Sequence, residues 1–132
     1  MNRRTVRDQL FKLLFRVEFQ ELADMQQQTE LFFEDESEER IEAKDEVSDK
    51  LTAILGMLPE LDKMIEENTT GWTIDRIGKV ELTILRLAFY EMKYDDAVPE
   101  SVAINEAVEL AKKYGPDEAP GFVNAILGKA VK

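Results

Sequence analysis

The chain is 132 residues long and 44% hydrophobic, which suits one globular domain with a sizeable core. It has no Cys and no His, so disulfides, thiolate metal sites and histidine-activated nucleophiles are excluded. The net charge is −11, no apolar run approaches the length of a membrane span, and the basic start MNRRTVRDQLFK leads into no signal-peptide h-region.

Charge is unevenly spread. Residues 1–20 carry Arg3, Arg4, Arg7, Lys12 and Arg16 against Asp8 and Glu18, a basic island. Residues 21–70 hold most of the acidity, and residues 71–132 are nearly balanced. A strongly acidic chain usually argues against a nucleic-acid partner, but here the distribution weakens that argument.

In chain order, Val6, Leu10, Leu13 and Val17 make a core stripe that predicts a first helix over residues 5–22. Leu31, Phe32 and Phe33 can anchor a short helix within the polar stretch 26–49, while the acidic run EDESEE (34–39) reads as a solvated loop. Val47, Leu51, Ile54, Leu55 and Leu58 signal a third helix, stopped near 56–59, and Leu61, Met64 and Ile65 a fourth over 60–67. Asn68-Thr69-Thr70-Gly71 is a capping turn.

Residues 72–92 (WTIDRIGKVELTILRLAFYEM) read as one long helix, with Ile74, Ile77, Leu85, Ala88 and Met92 on one arc. Arg76, Lys79, Thr83, Arg86 and Tyr90 fall on the opposite arc. Glu81 sits in the apolar arc, either as a paired core acid or as a carboxylate left for a partner to meet. After a loop at 95–99, Ser101 is a candidate N-cap for a helix ending at Gly115-Pro116 by a C′ glycine. Asp117 opens a last helix carrying Phe122, Val123, Ile126 and Leu127. The fold expected is all-α, six or seven helices in two sub-bundles, about 1–67 and 72–132.

The search for chemistry is mostly negative. There is no GxGxxG, Walker loop or HExxH, and the acidic cluster lacks the spacing of a calcium loop. No pair of carboxylates stands out as an acid/base couple, so an enzyme is unsupported and no cofactor or metal is expected. The first helix offers more, because Arg4, Arg7, Phe11 and Phe15 share a narrow arc away from the core stripe. Guanidinium groups can hold phosphates while rings stack on bases of a single strand. The alternative is that Phe11 and Phe15 pack into the core with arginines lying over them.

The run Trp72-x3-Arg76-Ile77, then Val80-Glu81-x2-Ile84-Leu85-Arg86-Leu87-Ala88-x-Tyr90-Glu91, resembles the signature of the NusB family of bacterial transcription antitermination factors. Val98-Pro99-x2-Val102-Ala103-Ile104-Asn105-Glu106-Ala107-x2-Leu110-Ala111-Lys112 and Phe122-Val123-Asn124-x2-Leu127 continue it, and Arg7-Asp8-x6-Phe15 is similar to its opening helix. The resemblance implies an all-helical, non-catalytic, cytoplasmic protein. It would pair with the ribosomal protein NusE, bind single-stranded boxA RNA of nascent ribosomal RNA transcripts, and join RNA polymerase with other Nus factors.

By the same resemblance Arg7 would contact RNA, and Arg3 and Arg4 beside it in the sequence would add local positive charge for RNA binding. Phe15, standing where the family commonly has tyrosine, and Phe122 at the start of the last helix would complete that RNA-binding set. Glu81 matches a residue that contacts NusE, which favours the partner over the core acid. Arg86, Asn105 and Glu106 match motif positions with expected structural jobs, such as satisfying loop backbone groups. Ala125 and Gly128 depart from the family's frequent Gly and Asp. Two rival functions stay open: a helical adaptor that binds protein without RNA, and a NusB-like domain detached from an RNA cytosine methyltransferase, whose Cys nucleophile the chain lacks. Self-association of the free protein into a homodimer is also left open.

Overall fold

The computed structural model describes residues 3–34 and 38–131, with backbone alone for 38–43. Among the described residues the α-helices are α1 (Arg3–Phe15), α2 (Met25–Phe33), α3 (Glu38–Leu55), α4 (Leu58–Glu67), α5 (Lys79–Tyr94), α6 (Glu100–Tyr114) and α7 (Ala119–Ala130). Short 3-10 turns lie at Arg16–Glu18, Leu22–Asp24 and Ile74–Arg76, and there is no strand among the described residues. The helices fall into two compact units, one ending at Gly56 and the other starting at Met57. The division therefore assigns α4 to the second unit, where the sequence pattern had put it in the first.

In the first unit, Val6, Leu10, Leu13 and Leu14 of α1 are buried with Met25, Phe32 and Phe33 of α2 and Val47, Leu51 and Ile54 of α3. Spacings of three and four residues place each set on one helix face. The first helix is shorter than its stripe suggested. It tightens into the turn Arg16–Glu18, where the Arg16 guanidinium lies 5.4 Å over the Phe32 ring and Nη1 donates to Gln28 Oε1 at 3.1 Å. Val17 is thus only half-buried. The third helix begins about nine residues earlier than its apolar signal, at Glu38, so part of the acidic run is helical; residues 35–37 lie outside the described residues.

In the second unit α5 is the central helix, packed against α4, α6 and α7. Every residue from Leu82 to Phe89 is buried, including Thr83 and Arg86, which the helical arc had placed on a polar face. Thr83 is accommodated because its hydroxyl donates to the Lys79 carbonyl at 2.8 Å, and Arg86 because Asp62 of α4 receives it. A helix surrounded on all sides buries its whole circumference. Each large apolar side chain hidden this way is worth about 1.5–3 kcal/mol.

The single helix expected over 72–92 is two elements. Ile77 (φ −86°, ψ 136°) and Gly78 (φ −58°, ψ 147°) are extended, and α5 starts only at Lys79. The cause is tertiary: Glu66 of α4 accepts the Ile74 N–H at 2.8 Å and fixes the 3-10 turn apart from the helix. Ile74 and Ile77 keep a three-residue spacing across that turn, so the apolar pattern alone does not show the break.

The helix α6 starts from Pro99 rather than Ser101, and α7 follows Glu118 rather than Asp117. Gly115 between them has φ −98°, so it is no left-handed C′ glycine. It is there for space: a β-carbon would stand 2.6 Å from the Ala119 Cβ and 3.0 Å from the Ala111 carbonyl oxygen. Among the described residues only Gly71, at φ +82°, occupies the left-handed region that favours glycine.

Candidate nucleic-acid and partner interfaces

Four of the sequence-chosen residues, Arg3, Arg4, Arg7 and Phe15, lie on α1 in the first unit. Arg3 is exposed and pairs with Glu46 of α3 at 2.7 Å, and Arg4 is exposed beside it. Arg7 is only 7% exposed and engaged within the protein, so it is a structural as well as an electrostatic element. Phe11 is buried and stacks on half-buried Phe15 with centroids 5.9 Å apart and planes 19° apart. Phe15 in turn meets Phe19 edge to face at 5.2 Å, and Phe19 is 59% exposed. The three rings step from core to solvent, ending on Phe19. The sequence signal for Phe19 is its four-residue spacing from Phe15, repeating that of Phe15 from Phe11.

Glu81 is the third residue of α5, counted from the N-cap Gly78. Its carboxylate folds back over that glycine: Oε1 is 2.6 Å and Oε2 3.3 Å from where a Gly78 β-carbon would stand. A carboxylate here benefits from the positive end of the helix dipole. Glu81 is half-buried, and among the described residues no hydrogen bond or ion pair engages it. Ile77, Leu85 and Ala88, which share its helical arc in the sequence, are all buried. Arg86, by contrast, is held by Asp62; Glu106 is buried and Asn105 exposed.

Phe122, in the first turn of α7, is half-buried and meets Trp72 at 5.7 Å with planes 65° apart. Phe122, Ala125, Ile126 and Lys129 form one stripe of α7, and this stripe faces the turn at residues 68–72 across a cleft of about 180 Å³. The turn is rigidly built. Asn68 Nδ2 donates to the Met64 carbonyl at 2.8 Å, and the Thr69 hydroxyl donates to the Glu66 carbonyl at 2.9 Å while accepting the Trp72 N–H at 3.2 Å. Across the cleft, Lys129 Nζ donates to the Thr70 hydroxyl at 3.0 Å. Trp72, the first residue of the helix that the sequence predicts, instead precedes α5 and is 45% exposed.

A model of the NusB family matches residues 4–132. The chain belongs to the NusB family. It is similar to the transcription antitermination protein NusB of Agathobacter rectalis, with 46% identity over 129 residues, which cover 98% of each chain. Among solved structures, NusB of T. maritima matches with a TM-score of 0.86 and 33% identity, over 98% of this chain and 89% of that one. A structure of the antitermination factors NusB and NusE in complex with dsRNA matches with a TM-score of 0.77, over 96% of this chain and 92% of that one. At 24% identity, that match speaks to the fold.

This NusB-family chain thus carries the expected residues on separate elements: α1 for the arginines and Phe15, α5 for Glu81, α7 for Phe122. Among the described residues no group of three or more acidic, Cys or His side chains is placed to hold a metal ion. No described helix is long and apolar enough to cross a membrane.

Proposed function

We propose that this NusB-family chain is a cytoplasmic, non-catalytic transcription antitermination factor. It pairs with the ribosomal protein NusE, binds single-stranded boxA RNA of nascent ribosomal RNA transcripts, and promotes processive transcription with RNA polymerase and other Nus factors. Family membership over residues 4–132 carries this reading. Two local features support it. The exposed arginines and ringed face of α1 suit a phosphate chain with bases to stack. The half-buried Glu81 carboxylate, without a partner among the described residues and on the same helical arc as buried Ile77, Leu85 and Ala88, suits a donor from a basic partner in a water-poor setting. The acidic remainder of the chain favours the same basic partner by complementary potential.

The test is calorimetric titration with NusE, followed by boxA RNA binding to the chain alone and to the pair. Binding of NusE is expected, with the pair preferring boxA over a scrambled single strand. A pair indifferent to RNA would leave a protein adaptor, and absence of NusE binding would overturn the assignment.

A further inference from the structure

We propose that the cleft between Trp72 and Phe122 takes one unstacked base of a single-stranded RNA, with Trp72 as platform and Lys129 and Arg76 beside the flanking phosphates. It rests on the RNA-binding function above, in which Phe122 already takes part, and adds Trp72 as the platform with Lys129 and Arg76 at its two ends. Trp72 and Phe122 meet edge to face, so at most one of their four ring faces is covered by the other. A base entering the cleft finds an open aromatic face, and the buried Ile126 side chain on the α7 wall.

The platform is preorganised. Gly71 in the left-handed region, the Thr69 hydroxyl bonds and the Glu66–Ile74 bond hold the chain on both sides of Trp72. Little ordering cost is left for the ligand to meet. Lys129 closes the cleft at one end, its nitrogen bonded to the neutral Thr70 hydroxyl and to no carboxylate among the described residues. Beyond Trp72 a second, wider hollow of about 550 Å³ continues past Thr70 and Gly71 to Arg76. An aromatic platform between two cationic ends fits a strand that threads past it with a base splayed inward. A basic protein would instead meet like charges at both ends.

Trp72 is the chain's single tryptophan, so its emission reports on this cleft alone. The experiment titrates the protein, alone and paired with NusE, with a short single-stranded boxA oligoribonucleotide. Tryptophan emission and the anisotropy of an end-labelled copy are read in parallel. Quenching should saturate together with anisotropy, and a fully paired RNA duplex should not quench. Trp72→Leu should weaken binding about tenfold, as expected for one lost stack, while Trp72→Phe stays within about twofold of wild type. Lys129→Gln should lower the log–log salt slope by about 0.7. RNA binding with unchanged emission and an unaffected Trp72→Leu would overturn the subsite and leave the RNA-binding function standing. Equal quenching by the duplex would also overturn it. Absence of RNA binding in both readouts would remove the parent function and the subsite together. If Trp72→Leu does not fold, wild-type emission decides.

Discussion

Arg86 of α5 grips Asp62 of α4 through two bonds, Nε to Oδ1 at 2.8 Å and Nη2 to Oδ2 at 2.9 Å. The Arg86 side chain is 8% exposed and that of Asp62 23%, so the pair is mostly shielded from water and fixes α4 on the central helix. Removing one partner strands the other. We expect Arg86→Met to cost about 3 kcal/mol, the low end for a buried pair because Asp62 keeps some solvent. Replacing both partners with apolar residues, Asp62→Leu with Arg86→Met, should recover most of that loss. Urea denaturation of the four proteins in the cycle measures it, and equal stability of Arg86→Met and wild type would refute a structural role.

Gly115 tests packing rather than backbone freedom. Since its φ is −98°, alanine meets no left-handed strain, yet its β-carbon would press on the fully buried Ala119 and on the Ala111 carbonyl. Neither neighbour is a flexible side-chain end. Gly115→Ala should therefore destabilise by about 1–3 kcal/mol, as overpacking does. A melting temperature at or above wild type would show that the α6–α7 connection can relax.

Gly78 and Glu81 are coupled in the opposite sense. A β-carbon at Gly78 meets only the movable end of the Glu81 side chain, and the backbone there is one any residue adopts. Gly78→Ala should leave the melting temperature nearly unchanged while pushing the carboxylate aside, and NusE affinity should fall. Glu81→Lys should lose only about 0.3–1 kcal/mol of stability from the reversed charge at the helix start. Its affinity for NusE should fall by several kcal/mol through like-charge contact. Calorimetry and thermal melts on both variants separate the effects; unchanged affinity in folded variants would exclude Glu81 from the interface.

Arg7 and Arg4 divide the roles of the basic arm. From sequence, Arg7→Glu would be expected to weaken RNA binding with the fold intact. Burial of Arg7 changes that expectation, because an acid in its place is both desolvated and deprived of the arginine's contacts. Arg7→Glu should lower the melting temperature clearly as well as weaken boxA binding. Arg4→Gln, at an exposed site, should weaken boxA binding with the melting temperature kept, and reduce the log–log salt slope by about 0.7. Equal RNA affinity of wild type and Arg4→Gln at low salt would remove the first turn of α1 from the RNA face.

Asp75 supplies a pH readout near Trp72. The Thr73 hydroxyl bonds its carboxylate and, with its own backbone N–H and the Arg76 charge, holds its pKa below the ordinary 3.8. A depressed folded-state pKa adds stability above the unfolded value, which is lost as pH falls through the lower, folded one. Thr73→Val should raise the Asp75 pKa toward its ordinary value in an NMR titration and so remove that contribution at neutral pH, a small loss because the group is exposed and screened by solvent. An unmoved titration would show that the hydroxyl is not the cause.

What the sequence by itself determined was the helical class and most helix positions. Repeats such as Val6/Leu10/Leu13 and Leu61/Ile65 are buried as their spacing required. It also determined the family, through motifs running from Trp72 to Leu127, because side-chain identity at fixed spacing is a local property. Only the tertiary structure decided where α5 begins, since the bond from Glu66 to Ile74 joins residues eight apart and leaves no mark on the apolar period. The same is true of Arg86 and Thr83, polar by type and buried because Asp62 and the Lys79 carbonyl satisfy them. The Trp72–Phe122 cleft belongs to this second kind. Its walls are fifty residues apart in the chain, and nothing but the packing of α7 against the 68–72 turn brings them together.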